Sequence, residues 1–87
     1  MEHILVIGAS GQIGSELVPE LRKIYGNENV YSTDLREPCE EEKKIGPWAI
    51  LDVLDTKRLI HYVIRHKITQ IYHLAAVVGV FRVLVHI

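Results

Sequence analysis

The feature that most constrains this chain is an apolar run leading directly into three evenly spaced glycines, in the stretch ILVIGASGQIG at residues 4–14. A continuous run of Ile, Leu and Val is typical of a strand that is buried on both faces of a parallel sheet. We expect Gly8 to let the chain leave this strand in a tight turn, Gly11 to keep side-chain atoms away from a bound pyrophosphate, and Gly14 to let a helix approach the sheet. The pattern therefore predicts a strand, a turn and a helix whose N-terminus faces an anion.

Apolar strand patterns and helical patterns alternate along the rest of the chain, which is typical of βαβ units. The predicted elements are strands at residues 3–8, 29–34, 48–51 and 69–75, helices at residues 12–25 and 55–66, and a loop at residues 36–47 with one helical turn at residues 40–44. Right-handed crossovers between these strands give the α/β class. They predict a truncated Rossmann-type, doubly wound parallel sheet of four strands in the order 3-2-1-4, with helices on both faces.

Both long helices are predicted to be amphipathic, because their apolar residues recur at helical spacing. Asp55 is the expected N-cap of the second helix. The residues predicted to share the inward faces are Ile13, Leu17, Leu21 and Ile24 in the first helix, and Leu59, Ile60, Val63 and Ile64 in the second.

An acidic residue at the end of the second predicted strand strengthens the nucleotide interpretation. Asp34 lies 20 residues beyond Gly14, where a carboxylate can accept hydrogen bonds from both ribose hydroxyls of a dinucleotide. Because this carboxylate would repel a 2′-phosphate, NAD is favoured over NADP, although the nearby Arg36 could soften that preference. The alternative is a glycine-rich turn beside an ordinary aspartate at a strand end. A P-loop is excluded, because Ser15 and not lysine follows Gly14.

Three motifs, GASGQIG at residues 8–14, LDVLD at 51–55 and YHLAA at 72–76, resemble in that order those of the extended short-chain dehydrogenases/reductases, the NAD-dependent epimerase/dehydratase group. Residues 4–36 are particularly similar to its short-chain L-threonine 3-dehydrogenase subfamily, and sugar-nucleotide epimerases share most of the motifs. The resemblance implies that Asp52 binds the adenine amino group and that Val53 lies at the adenine ring. The expected cofactor-binding residues are Gly8, Ser10, Gly11, Gln12, Ile13, Gly14, Asp34, Leu35, Arg36, Asp52, Val53, Leu74, Ala75 and Ala76.

The catalytic groups that the resemblance implies are not found in this sequence. The family uses a Tyr-x-x-x-Lys pair for acid–base chemistry, and none of the four tyrosines here has a lysine four residues later. The resemblance implies that this pair and the substrate domain lie beyond residue 87. We therefore expect a single partial NAD(P)-binding Rossmann domain without catalytic residues, family-like over residues 1–76. Three hypotheses remain: part of an oxidoreductase completed by a second polypeptide, a non-catalytic NAD or ADP module, and a truncated relic without a tight ligand.

The last eleven residues, VVGVFRVLVHI, depart from the family pattern and form an apolar tail at residues 77–87. Their later part alternates with the period of a strand. A turn at Gly79 could fold this strand back antiparallel on the fourth strand, or the tail could pair with another chain. A truncated or frameshifted reading frame is an alternative origin. We expect the tail to make the protein a homo-oligomer.

Composition excludes several other classes of protein. The net charge of −1 gives no basic surplus for nucleic acid or for a membrane surface. Cys39 is the only cysteine, so neither a disulfide framework nor a cysteine zinc site is expected. The five histidines lack the spacing of a metal site, so no metal is expected. Without an apolar run of membrane-spanning length or a signal-peptide pattern, we expect a soluble cytoplasmic protein.

Overall fold

The computed structural model describes residues 2–74 and, as backbone, residues 79–82. The elements in chain order are β1 (Ile4–Ile7), α1 (Gln12–Tyr25), a 3₁₀ turn (Asn27–Asn29), β2 (Val30–Asp34), α2 (Glu40–Ile45), β3 (Trp48–Ile50), α3 (Thr56–Arg65), β4 (Gln70–His73) and β5 (Gly79–Arg82). The strands form one sheet in the order β3-β2-β1-β4-β5. The first four strands pair in parallel, so the predicted α/β sheet in the order 3-2-1-4 is confirmed.

The fifth strand is the antiparallel extension that the tail sequence allowed. The backbone of β5 pairs with β4, with Gly79 opposite His73 and Arg82 opposite Gln70. Residues 75–78 and 83–87 of the predicted strand end and tail lie outside the described residues. The tail therefore supplies an edge strand to the same sheet over residues 79–82.

The sheet register brings the carboxyl ends of the three strands β1, β2 and β3 to one edge. Ile7 at the end of β1 lies opposite Thr33 of β2, and the next residue of β2, Asp34, lies opposite Ile50 of β3. In open parallel sheets, ligands bind in the crevice outside this edge. The fold thus positions the glycine turn, Asp34 and the turn after β3 beside one another.

The core consists of two apolar layers, one on each face of the sheet. Ile4 and Val6 of β1 pack with Val18 and Leu21 of α1. The alternate residues Leu5 and Ile7 pack on the opposite face, with Ile68 and the inner side of α3. Since successive strand side chains point to opposite faces, one strand supplies both layers. The predicted placement of helices on both faces is confirmed.

The predicted inward faces of the two helices were wrong in part. Leu17, Leu21, Leu59 and Val63 do pack against the sheet. Four other residues are more than half exposed, namely Ile13 (55%), Ile24 (71%), Ile60 (53%) and Ile64 (61%). The reason in α1 is a rotation of the helix that brings Gly14, Val18 and Arg22 inward. A periodicity based on apolar residues alone could not include a buried glycine and a buried arginine.

The helix boundaries agree closely with those predicted from the sequence. Asp55 caps α3 as predicted, since its Oδ1 accepts a hydrogen bond of 3.3 Å from the backbone N–H of Arg58. The predicted helical turn at residues 40–44 is the short helix α2. Within the described ranges, no helix has both the length and the apolar character that crossing a bilayer requires.

Candidate functional site

The glycine turn is fixed over the end of β2 by backbone hydrogen bonds. Gly8 has φ of +86°, a left-handed conformation that glycine adopts without steric cost. The backbone N–H groups of Gly8 and Ala9 both donate to the carbonyl oxygen of Thr33, at 2.9 and 3.0 Å. The chain therefore turns sharply at the strand end, as the first glycine predicted, and enters α1 after Gly11.

The other two glycines, Gly11 and Gly14, differ in how much space a Cβ atom would have. A Cβ atom on Gly14 would stand 2.6 Å from the carbonyl oxygens of both Gly8 and Ala9, too close for any side chain without a backbone shift. This confirms the close approach of helix and strand predicted for Gly14. A Cβ atom on Gly11 would only make an ordinary contact of 3.5 Å with the Gly8 carbonyl oxygen. The fold therefore has room for a Cβ atom at position 11.

The N-terminus of α1 has neither a capping side chain nor an acidic residue in its first turn. Gly11 is the N-cap residue. The first amides of a helix have no intrahelical acceptor, and the helix dipole places partial positive charge beside them. In α1 these amides include those of Gln12 and Ile13, the two residues predicted to hold phosphate oxygens.

Asp34 is held at the adjacent strand end by donors to both carboxylate oxygens. Its Oδ2 accepts from the backbone N–H of Ser10 at 2.9 Å and from the Ser10 hydroxyl at 2.6 Å. Its Oδ1 accepts from the backbone N–H of Leu35 at 2.7 Å. Burial raises the pKa of this carboxyl group, but the hydrogen bonds from Ser10 and Leu35, together with the charge of Arg36, outweigh burial and lower the pKa. Asp34 is therefore ionised at neutral pH.

Arg36 completes a small network around Ser10. Its Nη2 donates to the Ser10 carbonyl oxygen at 3.2 Å and to the Ser10 hydroxyl oxygen at 3.0 Å. The Ser10 hydroxyl thus donates to Asp34 while accepting from Arg36. The guanidinium group is exposed, and its bonds tie the end of β2 to the glycine turn.

These groups line a cavity of about 270 Å³ at the carboxyl edge of the sheet. Nine of the cofactor-binding residues expected from the sequence line this cavity, namely Gly8, Ser10, Gly11, Asp34, Leu35, Arg36, Asp52, Val53 and Leu74. The predicted residues Gln12, Ile13 and Gly14 lie in the adjacent first turn of α1. Ala75 and Ala76 lie outside the described residues.

Sequence reasoning missed two residues of this cavity, Ile7 and Leu51. Ile7 is the last residue of β1, and Leu51 directly follows β3. Their positions immediately before Gly8 and Asp52 were the available indication, because a residue next to a strand-end motif borders the same crevice.

The turn after β3 presents Asp52 beside the cavity. The Asp52 Oδ1 accepts from the backbone N–H of Leu54 at 2.9 Å, and the Asp52 carbonyl accepts from the N–H of Asp55 at the same distance. This turn is thereby fixed in front of α3.

Across residues 2–74 and 79–82, the His, Cys, Asp and Glu side chains form no group of three that could hold a metal ion.

Comparison with known proteins agrees with this geometry. The model of the NAD dependent epimerase/dehydratase family matches residues 4–85. An uncharacterized epimerase/dehydratase of Staphylococcus haemolyticus is 45% identical over 81 residues, covering 91% of this chain and 25% of the relative. The chain therefore spans about a quarter of the length of the curated relatives it matches.

Solved structures of L-threonine dehydrogenases share the fold. A partial consensus L-threonine 3-dehydrogenase has a TM-score of 0.79 and 44% identity, covering 86% of this chain and 24% of that one. The L-threonine dehydrogenase of Clostridium difficile has a TM-score of 0.78 and 38% identity, covering 90% of this chain and 25% of that one. The resemblance stated from the sequence motifs is confirmed, and the chain belongs to the NAD-dependent epimerase/dehydratase family.

Proposed function

We propose that this chain binds the adenosine diphosphate part of NAD, as the N-terminal nucleotide-binding portion of an epimerase/dehydratase-like or L-threonine-dehydrogenase-like oxidoreductase. The observation that carries the proposal is that Gly11, at the uncapped N-terminus of α1, and the ionised Asp34 line one cavity. An anion-binding helix end beside a ribose-binding carboxylate is the arrangement that a dinucleotide requires.

Each part of the nucleotide has matching groups along this cavity. The pyrophosphate would be bound by the amides of Gln12 and Ile13, and the ribose hydroxyls would donate to Asp34. The adenine would lie at the turn containing Asp52 and Val53, as the family resemblance implies.

We further propose that NAD is preferred over NADP. The support is electrostatic: an ionised Asp34 repels a 2′-phosphate, and Arg36 is already bonded to the Ser10 carbonyl and hydroxyl groups. Substitution Asp34→Asn keeps the shape of the side chain and removes the charge. It is therefore expected to narrow the difference between NAD and NADP affinities in paired titrations. An unchanged difference would show that Asp34 does not set the preference.

Variants at Gly11 test the role of the glycine turn in binding. The position is extended and has room for a Cβ atom, so we expect Gly11→Val to fold while placing a branched side chain at the expected position of the pyrophosphate. We expect loss of measurable NAD binding with an unchanged far-UV circular dichroism spectrum. Binding equal to that of the unsubstituted chain would contradict the proposal.

The activity of a complete enzyme is a separate proposal. We propose that this chain supplies nucleotide binding only, and that the acid–base tyrosine and its lysine come from another polypeptide segment. Support comes from the sequence, in which no tyrosine is followed by lysine at the fourth position. The chain with NAD and L-threonine is expected to form no NADH. Turnover by the purified chain would contradict this division of roles.

We also propose that the chain self-associates through the edge formed by β5. The backbone of β5 pairs with β4 on one side, and an edge strand presents unpaired backbone groups that can pair with a second chain. Light scattering at micromolar concentration is expected to give a mass above that of one chain. A monomeric mass over that concentration range would refute self-association.

A further inference from the structure

A second cavity, of about 370 Å³, lies between α3 and the edge strand β3. Residues of α3 from Lys57 onward and His66 at its end form most of the wall, and Ile50 and Leu51 at the end of β3 form the rest. Leu51 also borders the candidate cofactor site, and no other residue lines both cavities. The proposed NAD site uses none of the α3 side chains.

The wall of this cavity carries cationic side chains and no acidic one. Lys57, Arg58 and Arg65 supply three of the ten Lys and Arg residues of the chain, whereas none of the eleven acidic residues borders the cavity. The chain as a whole has a net charge of only −1, so this positive charge is a local feature. All three residues are exposed, and a ligand in solution can therefore reach them.

Helical spacing groups these three charges around one position. His61 also lines the cavity, and it lies four residues after Lys57, three after Arg58 and four before Arg65. Helix residues three or four apart are neighbours, with Cβ atoms about 5–6 Å from each other. The Arg58 guanidinium is also held on the β3 side of the cavity, where its Nη2 donates to the Ile50 carbonyl oxygen at 3.3 Å. The three cationic side chains are therefore neighbours of one central histidine.

Within residues 2–74, none of the three cations has an acidic partner. The ion pairs there involve only Lys23 and Lys43 among the basic residues, and the Arg58 guanidinium donates to an uncharged carbonyl. The ring of Tyr62 lies 4.3 Å from that of His66, centroid to centroid. Burial raises the pKa of Tyr62 to about 12, so its hydroxyl adds no negative charge. Like charges grouped in this way repel one another, and an anion bound among them would offset that repulsion.

We propose that this cavity binds a small anion with two linked phosphate groups, a diphosphate. Seven residues separate Arg58 from Arg65, about 10 Å along the helix axis, so an anion with two charged groups fits them better than one with a single group. Each guanidinium would bind one phosphate through paired N–H donors, and Lys57 would add a point charge. The side chains of Ile50 and Leu51 would contact the uncharged part of an organic diphosphate.

Backbone amide chemical shifts of the full 87-residue chain both detect and locate such binding. The ¹⁵N-labelled chain would be titrated with inorganic pyrophosphate and, separately, with inorganic phosphate, at constant ionic strength and without nucleotide. We expect saturable shifts at residues 57–66 with pyrophosphate at millimolar concentrations or below, and binding about tenfold weaker with phosphate, because a diphosphate makes more charge-assisted hydrogen bonds. No saturable shift in α3, or equal affinities for the two anions, would overturn the proposal.

Matched charge variants distinguish this site from general electrostatics. Lys57→Gln and Arg65→Gln are each expected to weaken pyrophosphate binding at α3 severalfold, and both residues are exposed, so the chain should remain folded. Lys44→Gln makes the same change of net charge at an exposed residue of α2 that does not border the cavity, and it should leave this binding unchanged. Equal effects of Lys57→Gln and Lys44→Gln would overturn the proposed site.

The same titration separates this inference from the proposed NAD binding. Pyrophosphate is also expected to bind at the N-terminus of α1, where it would shift the amides of residues 8–14. Gly11→Val should remove those shifts and leave the shifts at residues 57–66 intact. Shifts confined to residues 8–14 in the unsubstituted chain would overturn the site at α3 and leave the NAD proposal standing. Shifts at residues 57–66 alone would support the site at α3 even if NAD did not bind.

Discussion

Gly14 offers the sharpest test of how the fold builds the candidate site. In an exposed helix position, glycine to alanine stabilises a protein by about 1 kcal/mol. Here the new Cβ would stand 2.6 Å from the carbonyl oxygens of both Gly8 and Ala9. Neither oxygen belongs to a flexible side chain, so α1 would have to move away from the turn. Overpacking of this kind costs about 1–3 kcal/mol, and two backbone contacts at this distance place the cost at the upper end.

The net expectation for Gly14→Ala is a loss of about 2 kcal/mol in the free energy of unfolding, the steric cost less the gain in helix propensity. With a urea dependence of about 1 kcal/mol per molar for a small chain, the unfolding midpoint should fall by about 2 M. The matched control is Gly11→Ala, whose Cβ would make only an ordinary 3.5 Å contact and whose midpoint should change little. A Gly14→Ala midpoint equal to or above that of the unsubstituted chain would refute the reasoning.

Three further substitutions test other parts of the structure. Ser10→Ala removes a 2.6 Å hydrogen bond to Asp34; it should raise the pKa of Asp34 and weaken ADP binding by about 1 kcal/mol, measured by calorimetry. Asp55→Ala removes the N-cap of α3 and should cost about 1 kcal/mol, measured by urea denaturation. Burial, and then the charges of Arg65 and the neighbouring histidines, lower the pKa of His66 below its ordinary 6.5. Its contribution to stability is therefore complete above pH 6.5 and is lost as the pH falls from 6.5 through the lowered pKa. His66→Gln should flatten the dependence of the urea midpoint on pH in that range, and an unchanged slope would contradict this assignment.

The sheet could be predicted from the sequence because its determinants are local. Apolar runs of strand length, separated by helical patterns, identify βαβ units with right-handed connections, and the dinucleotide-binding glycine pattern favours the Rossmann strand order 3-2-1-4. The glycine turn is equally local. Gly8 adopts a left-handed φ angle, and Gly14 packs against backbone atoms that lie no more than six residues before it. The family motifs added the position of Asp52, which the structure places in the same cavity as Asp34.

The parts that escaped prediction depend on contacts between distant segments. The rotation of α1 follows from Gly14 meeting the glycine turn and from Arg22 bonding to Val30 and Pro47. Neither residue adds to an apolar periodicity, so Ile13 and Ile24 were placed on the wrong face. The hydrogen bonds joining Ser10, Asp34 and Arg36 likewise arise only once the turn lies over β2.

The central claim, that this chain recognises the adenosine end of NAD, is tested most directly by calorimetric titration of the chain with NAD and with ADP. The proposed contacts are to the adenine, the ribose and the pyrophosphate, all of which ADP contains. We therefore expect saturable binding of both ligands, with affinities that differ only a few-fold. A folded chain that releases or absorbs no heat with either ligand at millimolar concentration, or that binds NAD far more tightly than ADP, would contradict it.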